Sequence, residues 1–338
     1  MSPRRSTRQQ PGWFPGATAS QAGARLALAL LVFSSRVWAA DTNGAATASP
    51  TKFRLAFSIG VIGEINRNDA KASTLAWGKM ILSQRNIVAE TVPSVFDRPA
   101  DLFRALQNDE IDAAAVLANE FLAHPAAVPP DGVFLSVRNG KTTEQYVLLV
   151  RQDSGIQDMA GLNGHSIELY DGARTSLAPA WLDTVLAEHQ LGLMENVFNK
   201  ITRNEKVSRV IQRVFFRQAD ACVVTREAFV TAGELNPQLQ RELRVLATSQ
   251  EVVPSCFFFR PGFSPNLRQK IEEATLALHK TTTGKQVLTV FQGERMERHP
   301  LSCLDSARAL LAAQARLRGA ATEKGAVAAS PAPPSHRR

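Results

Sequence analysis

A chain of 338 residues that is 44% hydrophobic and 21% charged has the length for two ordinary domains and the make-up of a folded soluble protein. Its formal charge of +8 is concentrated at one end: Arg4, Arg5, Arg8, Arg25 and Arg36 lie in the first forty residues, which hold no acid, and the remainder carries 34 basic against 31 acidic residues. A body so close to neutral, with no basic stripe interleaved with aromatics, excludes a nucleic-acid partner.

The N-terminus reads as an export signal over residues 1–40. Basic residues come first, Leu26–Phe33 is wholly apolar, and Val37-Trp38-Ala39 offers the small or aliphatic residues a signal peptidase needs. The apolar run is too short to span a membrane. Export into the periplasm is therefore expected, with residues 41–51 as a small, polar tether. Cys222, Cys256 and Cys303 are widely spaced, with no CxxC pair, and the six histidines form no HxxxH or HxH pattern. No metal and no cofactor are expected.

Phe53–Ser58 is the first predicted strand. Asn68 or Asp69 can cap a helix over Ala70–Gln84, with Leu75, Met80 and Leu82 facing inward and Trp77 nearby. Ile87–Val92 reads as a strand, Ala100–Gln107 as a short helix, and Ile111–Val116 as a strand buried on both faces because it is almost continuously apolar. Strands alternating with helices at this spacing predict an α/β fold with a parallel sheet. Asn66 and Asn68 follow the first strand, and Asn119, Glu120 and Phe121 follow the third. Both groups sit at the carboxyl edge where open α/β sheets bind ligands.

Strands at Val133–Val137 and Gln145–Arg151 lead to an expected crossing at Asp153-Ser154-Gly155 and into a second α/β unit. There Ser166–Tyr170 is a strand, Asp171–Arg174 a polar turn, and Ala178, Trp181, Leu182, Val185 and Leu186 mark a helix. Thr175 or Ser176 can cap that helix, and Pro179 fits its first turn. Unpaired N–H groups at the helix start, two hydroxyls and the Arg174 guanidinium make this stretch a pocket for an anion, or else an ordinary capped βα turn. Further strands are predicted near Val197–Thr202 and at Ala219–Val224, Leu243–Thr248 and Cys256–Phe259, with helices over Val207–Phe216, from near Arg226, and over Leu267–His279, Gly284–Phe291 and Cys303–Arg316. The lobes are then 52–152 with 249–318, and 153–248. Residues 319–338, rich in Ala, Pro, Ser, Lys and Arg, read as a disordered tail.

The order of these elements and four segments resembles the phosphate/phosphite/phosphonate solute-binding proteins of ABC transporters. The segments are Ile111-Asp112-Ala113-Ala114-Ala115, Glu144 to Val150 with its tyrosine, Leu162 to Ile167 followed by Asp171–Ser176, and Gln218 to Val223. The resemblance implies a two-lobe type 2 periplasmic-binding-protein fold, with a ligand cleft between lobes and two hinge crossings. It also implies a small anionic ligand, phosphate- or phosphonate-like, and an ABC permease as partner of a monomer. Tyr146, Tyr170, Asp171, Arg174, Thr175 and Ser176 would line the cleft, with Glu227 at an acidic site position; for Tyr146, a core tyrosine is the alternative. The departures bear on the ligand. The family's anion turn reads D-P-x-S-T-S-G, and here it reads D-G-A-R-T-S-L, with Arg174 in a Ser place and Leu177 in the Gly place. The family's histidine before a second-lobe helix is missing at Asn204-Glu205-Lys206, and Cys256 stands where an Asp would suit a ligand ammonium. These changes point away from an aminoalkylphosphonate.

Two rivals differ in class. A ligand-sensing partner of a membrane sensor kinase or cyclase would use the same cleft. An enzyme would need Cys222 or Cys256 with His165 or His189, and no third orienting group accompanies either pair in the sequence.

Overall fold

The computed structural model describes residues 51–63, 67–125, 129 and 131–328. The predicted export signal, nearly all of the tether and Asn66 lie outside the described residues. Strands β1 (Thr51–Ser58), β2 (Ala89–Phe96), β3 (Ala113–Leu117) and β4 (Val133–Val137) belong to a first sheet. Strands β5 (Tyr146–Arg151), β6 (Ser166–Tyr170), β7 (Lys200–Asn204), β8 (Ala221–Thr225) and β9 (Leu243–Thr248) build a second. The chain returns to the first sheet with β10 (Ser255–Phe259) and β11 (Arg295–His299). The sheet orders are β11-β4-β10-β3-β1-β2 and β7-β6-β8-β5-β9.

Sequence chemistry explains the places of the strands. β3 is buried at every residue and lies between β1, its parallel neighbour, and β10, which is antiparallel. It therefore has no polar face to show. β2 starts two residues later than its apolar pattern predicts and carries Pro93, which an edge strand tolerates. The sequence reading missed β11. Its residues, Arg-Met-Glu-Arg-His, form no apolar run, and such charge suits the opposite sheet edge. The helix expected over Ala70–Gln84 begins at Arg67, so Asn68 and Asp69 fall inside its first turn, and its buried stripe is Ala70, Thr74, Trp77, Gly78, Ile81 and Leu82. Leu75 and Met80 are only half-buried.

The change of sheet falls between Val137 and Tyr146, not at Asp153–Gly155. β5 is a strand of the second sheet, and Ser154 merely closes a turn by donating its hydroxyl to the Arg151 carbonyl. The return crossing is residues 249–254. The two crossings are paired with each other: Glu144 N–H donates to Val252 O at 2.8 Å, and Val252 N–H donates to Glu144 O at 2.9 Å. Ser249 adds a bond from its N–H to Tyr146 O, and its Oγ accepts from Tyr146 N.

The last helix, Asp305–Ala328, runs well past Gly319, where a disordered tail was expected. Alanine dominates this segment, and its helix propensity outweighs the loss of apolar patterning. Residues 329–338 lie outside the described residues. This helix packs on the second-sheet helix Ala178–Glu188 and on the first-sheet helix Ala118–Leu122, so it spans both halves. Its anchor is Asp183, which is fully buried. One oxygen of Asp183 accepts from Met194 N at 3.1 Å; the other accepts from Gln314 Nε2 at 2.8 Å and from Arg318 Nη2 at 2.7 Å. Among the described residues no helix is long and apolar enough to cross a membrane.

Asp183→Ala leaves the buried Met194 N–H without a partner and removes one of the two carboxylates that hold the half-exposed Arg318 guanidinium, the other being Glu195. The expected cost is roughly 2–4 kcal/mol, read as a lower urea midpoint at unchanged m-value, with Asp183→Asn losing less.

Candidate functional site

The turn after β6 is built to hold its own shape. A Cβ on Gly172 would sit 2.5 Å from the Tyr170 ring, so only glycine lets that half-buried ring fold over the turn. Thr175 Oγ1 donates to Tyr170 O at 2.6 Å and accepts from Gly172 N at 3.1 Å. That hydroxyl is therefore committed to the turn, and Thr175 does not cap the following helix, which starts after Leu177 with no side-chain cap. Ser176 does not cap it either. Its Oγ is enclosed and has no hydrogen-bond partner among the described residues.

Arg174 reaches out of this turn to the crossing segment and forms an ion pair with Glu144, whose side chain is 6% exposed. Burial, assisted by nearby Arg138 and opposed by Glu227, lowers the Arg174 pKa to about 10. The group remains a cation at neutral pH. The Arg174 carbonyl accepts from Tyr146 Oη at 3.1 Å. Tyr146 is fully buried beside Trp181, and burial raises its phenol pKa. It is thus the core tyrosine with a satisfied hydroxyl, and it supports the site by holding the turn's backbone.

A crevice of about 90 Å³ opens where the crossings meet the second sheet. At roughly 30 Å³ per water it is a small-ion space. It is lined by Arg138, Asn139, Lys141, Thr143, Glu144, Gln145, Arg174, Arg226, Glu227 and Glu251. Lys141 pairs with Glu251 at 2.8 Å, and Glu227 accepts from Asn139 Nδ2. Arg226 donates to Gln145 Oε1 and Thr248 Oγ1, and Arg138 donates to Gln292 Oε1.

The first sheet faces the turn with its own polar edge. The short helix Ile59–Ile62, directly after β1, touches residues 173–175. It also presses on the end of β3, so that a Cβ on Gly60 would lie 2.7 Å from Leu117 Cδ1 and 3.0 Å from Glu120 Oε1. Ser58 Oγ at the end of β1 and Asn119 Oδ1 just past β3 are enclosed, again without partners among the described residues.

Of the predicted residues, only Arg174 and Glu227 line the crevice. Ser176 Oγ and Asn119 Oδ1 are enclosed and unpartnered among the described residues, and neither residue belongs to the crevice lining. Glu120 turns back to accept from Leu117 N at 2.9 Å, capping its own helix, and Phe121 is core, packed edge-on against Phe258. Asp171 is exposed, with its N–H donated to Asn204 O, and Asn68 is exposed on its helix. Sequence reasoning missed Ser58, Arg138, Lys141, Glu144, Arg226 and Glu251. The signal for Glu144 was its place, a carboxylate immediately before a wholly apolar strand.

The cysteines required by an enzymatic reading are enclosed. Cys222 and Cys256 are buried in β8 and β10, and burial pushes both thiols well up. His165 faces Asp220 at 3.4 Å.

The family model described as the periplasmic substrate-binding protein of an ABC phosphonate transporter matches residues 89–299. No curated protein matches the chain. Among solved structures, XAC2383 from Xanthomonas citri, bound to chloride ion, is 14% identical with a TM-score of 0.59, over 79% of this chain and 99% of that one. A binding-protein component of an ABC phosphonate transporter from Pseudomonas aeruginosa is 14% identical with a TM-score of 0.56, over 80% and 89%. PhnD1 from Prochlorococcus marinus, in complex with methylphosphonate, is 13% identical with a TM-score of 0.54, over 77% and 97%. At such identities the likeness concerns the fold, a two-lobe type 2 periplasmic binding protein.

Burial sets an order of thiol reactivity. In the folded protein at mildly alkaline pH, Cys222 and Cys256 stay unmodified by a thiol reagent, while half-buried Cys303, its pKa raised to about 11, reacts slowly. All three react once denaturant is added, and mass spectrometry of the labelled chain checks the order.

Proposed function

The chain belongs to the periplasmic substrate-binding proteins of ABC phosphonate transporters, and from that premise we propose that it captures a small tetrahedral oxyanion between its two lobes for a membrane permease. Residues 1–40 direct export in this reading. The observation that carries it is a set of enclosed groups without a partner among the described residues, Ser58 Oγ and Asn119 Oδ1 at the ends of first-sheet strands and Ser176 Oγ in the turn that carries Arg174, with Arg174 itself lining the crevice. A buried hydroxyl without a partner costs stability, so a site that keeps three such groups has a use for them. Two hydroxyls each donate one hydrogen, and rotation of the Asn119 amide by a half-turn presents N–H donors at the same point. A guanidinium adds planar, charge-assisted donors. Tetrahedral oxyanions accept from all of these directions at once.

The chain passes between the sheets at the two paired crossings, and hinge motion about them would admit and enclose the ligand. Closure then converts occupancy into a shape that a permease reads.

Calorimetric titration with phosphate, methylphosphonate, methanesulfonate and acetate at low salt tests the reading. At least one tetrahedral oxyanion binds in the micromolar range. Ser176→Ala and Ser58→Ala each weaken it by about tenfold or more, the worth of a hydrogen bond to a charged group. If both variants bind every anion as the wild type does, the ligand sits elsewhere.

A further inference from the structure

The crevice holds four cationic side chains, Arg138, Lys141, Arg174 and Arg226, against three carboxylates, Glu144, Glu227 and Glu251. Two of the carboxylates are already spent, Glu144 on Arg174 and Glu251 on Lys141. Arg138, Arg226 and Glu227 form no ion pair among the described residues, and their hydrogen bonds go to neutral groups. The site therefore has a net charge of only +1. Its most deeply placed carboxylate stands against the guanidinium that an oxyanion would use.

Glu144 cannot retreat from that position. Its backbone is bonded in both directions to Val252 of the other crossing, and its side chain is almost fully enclosed. A ligand that engages Arg174 comes within the field of this fixed negative charge, in surroundings where screening by water is weak. Each ligand charge is attracted by Arg174 and repelled by Glu144, so the extra attraction that a second charge would gain is largely cancelled, while the larger desolvation cost of a dianion remains.

We propose that Glu144 is a specificity determinant that sets the cleft to select a monoanionic tetrahedral ligand, of the sulfonate class, over a dianionic phosphate or phosphonate. This inference rests on the oxyanion reading of the same site and deepens it. Discrimination by a placed repulsive charge is a general means of rejecting a near-isostere. It also gives a reason for Arg174 in this turn: with Glu144 beside it, the pair changes the charge preference of the site without emptying it of donors.

The test uses methylphosphonate and methanesulfonate, which share a shape and differ by one charge at about pH 8.5. The wild-type protein binds methanesulfonate about tenfold or more tightly at that pH. The gap narrows at about pH 6, where the phosphonate takes up a proton; among the described residues no histidine lines the crevice to titrate instead. Glu144→Gln reverses the preference at about pH 8.5. Should that variant fail to fold, the wild-type ratio at the two pH values decides alone. A wild-type preference for the phosphonate dianion, or a ratio untouched by folded Glu144→Gln, overturns the inference. If both ligands bind with sensitivity to Ser176→Ala but without charge discrimination, the inference falls and the oxyanion site stands. If neither ligand binds either protein, the inference and the site reading fall together.

Discussion

One residue fastens the two halves of this protein in two ways. Through its backbone, Glu144 joins the outgoing crossing to the returning one at Val252, and through its carboxylate it reaches the turn at Arg174. The crossings and the turn are therefore fastened to each other through one residue. A buried ion pair is poor evidence of added stability, because desolvation offsets much of the attraction. Its value here is positional: it fixes where the turn stands when the lobes are together.

The fold was legible wherever burial was uniform. β3 and β5 read as strands because their runs are almost continuously apolar or small, and alternating strand and helix patterns gave two α/β units. Legibility failed where structure depends on partners distant in sequence. β11 is all charge and methionine, so only its pairing with β4 identifies it. The change of sheet lies in Arg138–Gln145, whose polar residues look like any surface loop until β5 is seen beside β8 and β9.

The site was legible in part, for a similar reason. Arg174 and Ser176 stand in a strand–turn–helix pattern that local chemistry picks out. Thr175 belonged to the same pattern and turned out to serve the turn itself, since its hydroxyl is closer to Tyr170 O than to anything beyond. Glu120 shows the opposite case. A carboxylate at a sheet edge satisfies its own helix start before it is available to a ligand. Arg138 and Glu144 come from one crossing, Arg226 from the start of a second-sheet helix and Glu251 from the returning crossing, and their convergence is a product of the topology.

The helix Asp305–Ala328 has a mechanical consequence. Its contacts are unlike in kind: on the second sheet Asp183 grips Gln314 and Arg318 through directional, charged bonds, while Ala307 and Leu310 rest in apolar packing. Apolar packing slides and repacks more readily than a buried carboxylate gives up its donors. The grip of this helix on the second sheet therefore depends on the charge of one enclosed carboxylate, which apolar packing elsewhere along the helix cannot replace.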